Sequence, residues 1–259
     1  MILDTIAAST RKRVDQAKEH LPLNIMKEQA LTLPKGNFPF EAALRADGVS
    51  FICEIKKASP SKGVIADDFP YIEIAKAYEA AGASAISVLT EPEYFLGNNQ
   101  YLTEIRQEVR APLLRKDFIL DEYQLYEAKV IGADAVLLIC ALLGTHTISE
   151  YLTICNTLGL SALVEAHSEE EVYSALNAGA QIIGVNNRDL NTFEVDLNTC
   201  IKLRTLVPKE ILFVAESGIK TAKDIALLKQ AGVDAVLIGE TLMRSADKKA
   251  ELSKLQGAD

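Results

Sequence analysis

The sequence has no excess of basic charge, no clustered metal ligands, no closely paired cysteines and no long apolar run. Each absence removes a class of function. The net charge is −9, whereas a nucleic-acid partner calls for a basic face. An anionic small molecule is not excluded, because local charge decides that. The three histidines, at 20, 146 and 167, are too scattered to suggest a metal site. The four cysteines (Cys53, Cys140, Cys155, Cys200) are widely spaced and form no CxxC. They read as core thiols of a cytoplasmic protein rather than as disulfides or metal ligands. No stretch reaches the roughly 18 apolar residues of a membrane span, and the opening MILDTIAASTRKRVDQAKEH lacks the apolar segment of a signal peptide. GxGxxG is absent, as is GxxxxGK followed by Ser or Thr, so neither common nucleotide loop is present.

What is there is a repeat. Four segments look alike: EAAGASAISVLT (79–90), VIGADAVLLIC (130–140), NAGAQIIGVNN (177–187) and QAGVDAVLIGE (230–240). Each places a Gly after a helical pattern, then a short step, then an apolar run. A Gly there ends a helix in the left-handed conformation. The run that follows suits a strand buried on both faces of a parallel sheet. One more apolar run lies between successive copies, giving strand–helix units of roughly 25 residues.

The pattern predicts eight strands, near 50–55, 84–89, 112–116, 134–139, 161–165, 182–186, 211–215 and 235–238. Helices are expected near 70–81, 99–109, 122–131, 147–158, 169–178, 196–206 and 221–231. Eight alternating units predict an α/β fold, a closed (β/α)8 TIM barrel with an N-terminal helical extension. An open doubly wound sheet is the alternative. With 259 residues, 49% hydrophobic and 24% charged, residues 1–259 fit one domain, since such barrels run to about 250 residues. Residues 1–45 lie outside the eight units. They carry an amphipathic helix near 3–19 and a Pro-punctuated stretch, and are expected to pack on the barrel or to cover one end of it.

Charged groups recur at the ends of these apolar runs, where ionised side chains must be paired or put to use. Glu54 and Lys56 lie two apart, on one face of strand 1. Lys116 ends strand 3, Glu165 strand 5, Asn186 strand 6 and Glu216 strand 7, with Arg188 and Ser217 close behind. Active sites of such barrels lie at the C-terminal strand ends. Six charges meeting there, three of each sign, would push pKa values apart as acid/base chemistry needs. Taken singly, each is a solvated loop residue or half of a structural ion pair. Lys57 and Asp117, one step further, are expected to face away from the site or out to solvent.

The loops after strands 7 and 8, ESGI (216–219) and IGETLMR (238–244), allow close backbone approach at Gly218 and Gly239. Loops at these places often bind phosphate, although both glycines also suit plain tight turns. The polar loop KASPSKG (57–63), with Ser59, suits a lid that also touches phosphate. Phe95, Phe118, Leu137 and Leu190 are candidates to line a pocket for an aromatic ring, or else ordinary packing.

The segments EIKKASPSKG (54–63), LRKDFI (114–119), LVE (163–165), GVNNRDL (184–190), AESGI (215–219) and LIGE-LMR (237–244) closely resemble indole-3-glycerol phosphate synthases of tryptophan biosynthesis. AESGI alone recurs in other phosphate-binding barrels; the ordered set is highly specific.

The resemblance implies a small phosphosugar substrate, 1-(2-carboxyphenylamino)-1-deoxyribulose 5-phosphate. The products are then indole-3-glycerol phosphate, carbon dioxide and water. It implies no cofactor and no metal, and a monomer without nucleic-acid or membrane partners. It also implies Lys116 as general acid, Glu165 and Lys56 in the later proton transfers, and Glu54 in support. Asn186, Arg188, Glu216 and Ser217 then hold substrate, and Ser59, Gly218, Gly239 and the Glu240 backbone hold phosphate. Asn187 and Glu240 depart mildly from the commonest pattern, and the Glu240 side chain is expected to point outward. The isomerase that makes this substrate, and a non-catalytic binding barrel, are the competing readings.

Overall fold

In the computed structural model, which describes residues 2–66, 68–189 and 192–257, eight parallel strands close into a barrel. They are β1 (Ser50–Ile55), β2 (Ala85–Leu89), β3 (Leu113–Lys116), β4 (Ala135–Ile139), β5 (Ser161–Ala166), β6 (Ile182–Asn186), β7 (Leu212–Glu216) and β8 (Ala235–Ile238). Each strand pairs with the next in the chain, and β1 pairs with β8 to close the ring. The open-sheet alternative is thereby removed.

Strand alternation divides the core in two. Phe51, Cys53 and Ile55 of β1 join the layer between strands and helices, while Ile52 points inward. Ile52, Leu114, Leu137, Leu163, Val214 and Leu237 share the barrel interior, which is packed and not a channel. Gly82, Gly132, Gly179 and Gly232 all take positive φ, ending the helix before the following strand.

The N-terminal segment holds more structure than its sequence suggests. The amphipathic helix is α1 (Ile2–His20), and the Pro-punctuated stretch contains two further helices, α2 (Leu23–Thr32) and α3 (Pro39–Leu44). Pro22 directly precedes α2 and Pro39 sits in the first turn of α3. Proline is compatible with a first turn, because the N–H it lacks has no partner there. Helix α3 brings Phe40 and Leu44, both fully buried, into the inner cluster. Burying each such side chain contributes about 1.5–3 kcal/mol.

Helix α1 lies at the catalytic-type end, where Ile2, Leu3 and Ile6 line a cavity with residues of the C-terminal strand ends. Its Arg13 guanidinium holds Asp117 through two bonds of 3.0 and 2.7 Å, and Lys18 reaches Asp121 at 2.6 Å. The Asp117 side chain turns to Arg13 and is fully buried rather than solvated, while the residue also contributes to the cavity wall between Lys116 and Phe118. Arg115, pointing outward from β3 and also fully buried, meets Asp117 at 3.1 Å and Glu127 at 2.6 Å. Solvent exposure of Asp117 is the part of the expectation that the structure corrects: Arg115 is visible two residues back, but Arg13 comes from 104 residues away and completes the burial.

Candidate active site

The inward positions of β1, β3, β5, β6 and β7 place Glu54, Lys116, Glu165, Asn186 and Glu216 around one cavity of about 650 Å³. Lys56, just past β1, joins them. The charges sort into two groups. The Lys56 Nζ lies 2.5 Å from Glu54 Oε1. The Lys116 Nζ donates to Glu216 Oε2 at 2.6 Å and faces Glu165 Oε2 at 3.3 Å.

Burial acts to lower the pKa of Lys116, but Glu216, Glu165 and Glu54 outweigh it and hold the ammonium above the ordinary lysine value. Two carboxylates on one ammonium cannot both be fully compensated. Burial, with Glu165 nearby, pushes Glu216 up to about 7 despite the pull of Lys116. Burial also opposes ionisation of Glu165, yet Lys116 and His167 keep it below the usual carboxylate range. The cluster thus contains a lasting cation, an ionised carboxylate and a carboxyl that titrates near neutrality.

Two glycines make room for it. A Cβ at Gly184 would stand 2.4 Å from Glu216 Oε1, and one at Gly239 would stand 2.4 Å from Glu54 Oε1 and 3.1 Å from Lys56 Nζ. Close approach at Gly239, expected for phosphate, is therefore also required by the Glu54–Lys56 pair.

Ser217, Gly218, Gly239 and Glu240 line the same cavity on the β7 and β8 side. Ser217 and Gly218 both take positive φ (65° and 84°). Asn187, buried behind them, fixes this turn: its Nδ2 donates to the carbonyls of Glu216 (3.0 Å) and Ser217 (3.2 Å). The Glu240 carboxylate is turned to the rim, 3.2 Å from Arg244 Nε and 3.6 Å from Lys62 Nζ. Lys62 and Ser59 belong to the loop after β1, which folds as a small hairpin of Ala58–Ser59 against Gly63–Val64. Arg188 lines the cavity and donates to the Phe193 carbonyl at 3.2 Å.

The apolar wall comes from Phe95, Phe118 and Leu137 together with Ile2, Leu3 and Ile6. The two phenyl rings pack with centroids 5.9 Å apart. The Phe95 backbone N–H donates to the buried Glu91 carboxylate, as do those of Glu93 and Tyr94. Leu190 lies outside the described residues.

Sequence reasoning gave no role to His167 or Asn187 and did not single out Ile2, Leu3 and Ile6 of α1. The His167 signal was available, because His167, one residue past β5, continues the alternation of 163 and 165. Among the described residues no group of His, Cys, Asp and Glu could hold a metal ion, and no helix is long and apolar enough to cross a membrane.

Among known proteins, the family model for indole-3-glycerol phosphate synthase matches residues 3–255. The chain is 61% identical to indole-3-glycerol phosphate synthase of Ruminiclostridium cellulolyticum over 259 residues, covering 100% of both chains. It is 57% identical to that of Endomicrobium trichonymphae, covering 99% of this chain and 100% of the other. Of solved structures, 3-hexulose-6-phosphate synthase from Salmonella typhimurium aligns with a TM-score of 0.65 at 16% identity, covering 81% of this chain and 98% of that one. That likeness carries the fold alone. On the family match and these identities, the chain belongs to the indole-3-glycerol phosphate synthase family.

Proposed function

We propose that the protein closes, decarboxylates and dehydrates 1-(2-carboxyphenylamino)-1-deoxyribulose 5-phosphate to indole-3-glycerol phosphate, as a carboxy-lyase of tryptophan biosynthesis. The observation that carries the mechanism is the Lys116 ammonium held between Glu216 and Glu165 in the wall of the cavity. A cation kept charged beside the reacting ketone is a proton donor for a developing alkoxide.

The aromatic carbon bearing the carboxylate attacks the ketone carbon, and Lys116 protonates the ketone oxygen. The C–CO2 bond then breaks, and its electron pair restores the aromatic ring. In the last step the hydroxyl accepts a second proton and leaves as water, while a base removes one proton from the new ring. Glu165 and Lys56 serve this step, with Glu54 orienting Lys56. Arg188 and Lys56 face the substrate carboxylate, and Asn186, Glu216 and Ser217 hold the sugar hydroxyls. The phenyl ring rests against Phe95, Phe118 and Leu137. The Ser59 hydroxyl and backbone N–H groups at Gly218, Gly239 and Glu240 hold the phosphate. Backbone donors suit this task because they add no charge of their own.

The same family reading takes the protein as a monomer. Its four cysteines are free thiols, which fits a reducing cytoplasm. Mixing the protein with this substrate should generate indole fluorescence and carbon dioxide. Folded protein that forms neither product rejects the reading.

A further inference from the structure

The reaction proposed above is not proton-neutral. Two protons go to the departing oxygen and one returns from the ring. The carboxylate leaves as neutral carbon dioxide. Each turnover therefore consumes one proton, which has to reach a buried Lys116 from solvent.

Behind Glu165 stands a residue that the mechanism leaves unused. The His167 Nε2 lies 3.4 Å from Glu165 Oε1, yet it is buried and has no hydrogen-bond partner. A buried polar atom left so costs free energy and needs an explanation. On the other side, Nδ1 lies 3.2 Å from Glu171 Oε2. That oxygen also accepts the His167 backbone N–H at 2.7 Å, which fixes the ring. Glu171 belongs to the helix that follows β5, α4 (Glu169–Ala178), and a quarter of its side chain is exposed.

His167 and Glu171 do not line the substrate cavity. They line a second cavity of about 690 Å³, which adjoins the first at Asn186 and Arg188. Glu165 lines the first cavity and not the second. The imidazole thus bridges two compartments.

We infer that Glu171 and His167 form the inlet through which a solvent proton reaches Glu165 and then Lys116. This rests on the reaction proposed above. Nδ1 takes a proton from Glu171 or from water in the second cavity, and Nε2–H passes its own to Glu165 Oε1. Glu165 Oε2, 3.3 Å from Lys116 Nζ, returns a proton to the amine that has just given one up. No oxidant or co-reactant is needed.

His167 is then a positioning and relay residue, acting through Glu165. Its electrostatic surroundings agree. Burial acts against the imidazolium, but Glu171, Glu165 and Glu216 outweigh it, and the pKa is raised above the ordinary histidine value. The groups that face it are Glu165 on β5, Glu216 on β7 and Glu171 on α4, with Arg188 in the wall of the same cavity. The Cys140 thiol, beyond β4, donates to the Glu171 carbonyl at 3.5 Å.

The test is multiple-turnover kinetics on the full chain with the carboxyphenylamino-deoxyribulose phosphate, comparing wild type, His167→Ala and Glu171→Gln. A folded wild type that makes no product rejects the reaction itself, which is a separate failure. With wild type active, His167→Ala should lower kcat about tenfold or more. Its KM should stay within about twofold. Added imidazole should restore the rate of His167→Ala in a concentration-dependent way and leave wild type unchanged. A packing role gives no such rescue. Glu171→Gln should move the alkaline limb of the rate–pH profile to lower pH, because the imidazolium loses its anion. If His167→Ala does not fold, this profile decides alone. The relay is overturned by an unchanged rate in His167→Ala, by a loss that imidazole does not restore, or by an unshifted profile in Glu171→Gln.

Discussion

Lys116 and Glu216 are 100 residues apart in the chain, on opposite sides of an eight-stranded ring, and their side chains meet at 2.6 Å. Only closure of the barrel makes them neighbours. The same closure presents the ammonium to Glu165 at 3.3 Å. One cation therefore organises two buried carboxylates, and its removal has consequences for both chemistry and folding.

Lys116→Ala is expected to lower turnover by about 10²–10⁴-fold, the usual contribution of a positioned general acid. Affinity for the product should change only modestly, because Lys116 acts on the oxygen that leaves. Breaking a buried ion pair typically costs about 3–5 kcal/mol, but Glu165 and Glu216 can offset part of this by taking up protons. The variant should thus lose more stability at alkaline than at mildly acid pH. Stopped-time product assays and urea melts at two pH values check both points, and near-normal turnover would remove Lys116 from the mechanism.

Glu216 supplies a pH dependence of defined sign. Its pKa is raised from 4.5 to about 7 in the folded protein, so the folded state binds the proton more tightly than the unfolded chain. The group's stabilising contribution is complete below about 4.5 and is lost as pH rises through about 7. Glu216→Gln removes this slope. Chemical denaturation across that window should show the wild type losing stability relative to the variant as pH rises. Parallel curves would mean that Glu216 is ionised throughout.

Much of this site is legible in sequence because strand periodicity is strict. Once β1 is recognised, Glu54 and Lys56 must share a face, and once eight units are counted, Lys116, Glu165, Asn186 and Glu216 must share an end. Phe95 and Phe118 follow from loop position in the same way. What sequence hides is which charge pairs with which. The register that brings Lys116 to Glu216 depends on the stagger of every intervening strand. Asp117 could not be placed for the same reason, since Arg13 comes from a helix outside the repeat. Helices α2 and α3 escaped notice because prolines at their starts read as interruptions.

The two site glycines make a sharper test of geometry. Gly184→Ala would put a methyl 2.4 Å from Glu216 Oε1, and Gly239→Ala one 2.4 Å from Glu54 Oε1. Neither glycine has positive φ among the described residues, so backbone strain does not confuse the result. Each alanine is expected to displace its carboxylate and slow the chemical step by about tenfold or more, while overpacking costs about 1–3 kcal/mol. Gly184→Ala should also alter the pH response assigned to Glu216, and Gly239→Ala should not. Single-turnover rates measured against pH separate the two, and unchanged rates in both would mean that neither carboxylate position matters.

Asp117 offers a way to release the N-terminal helix while every residue given a catalytic role stays in place. Burial works to raise its pKa, but Arg115 and Arg13, with a bond from Thr90, hold it below the ordinary value of 3.8. The stability it contributes is therefore present above about 3.8 and is lost as pH falls through its lower, folded value. Asp117→Asn leaves Arg115 buried with Glu127 at 2.6 Å as its remaining carboxylate, so a cost of about 3 kcal/mol is expected. Arg13 loses both of its charged bonds, and α1 should loosen. Trypsin should then cut at Arg11, Lys12 and Arg13 sooner than in wild type. Because Ile2, Leu3 and Ile6 line the cavity, KM should rise more than kcat falls. Equal cleavage rates and equal KM in the two proteins would mean that other contacts hold α1 in place.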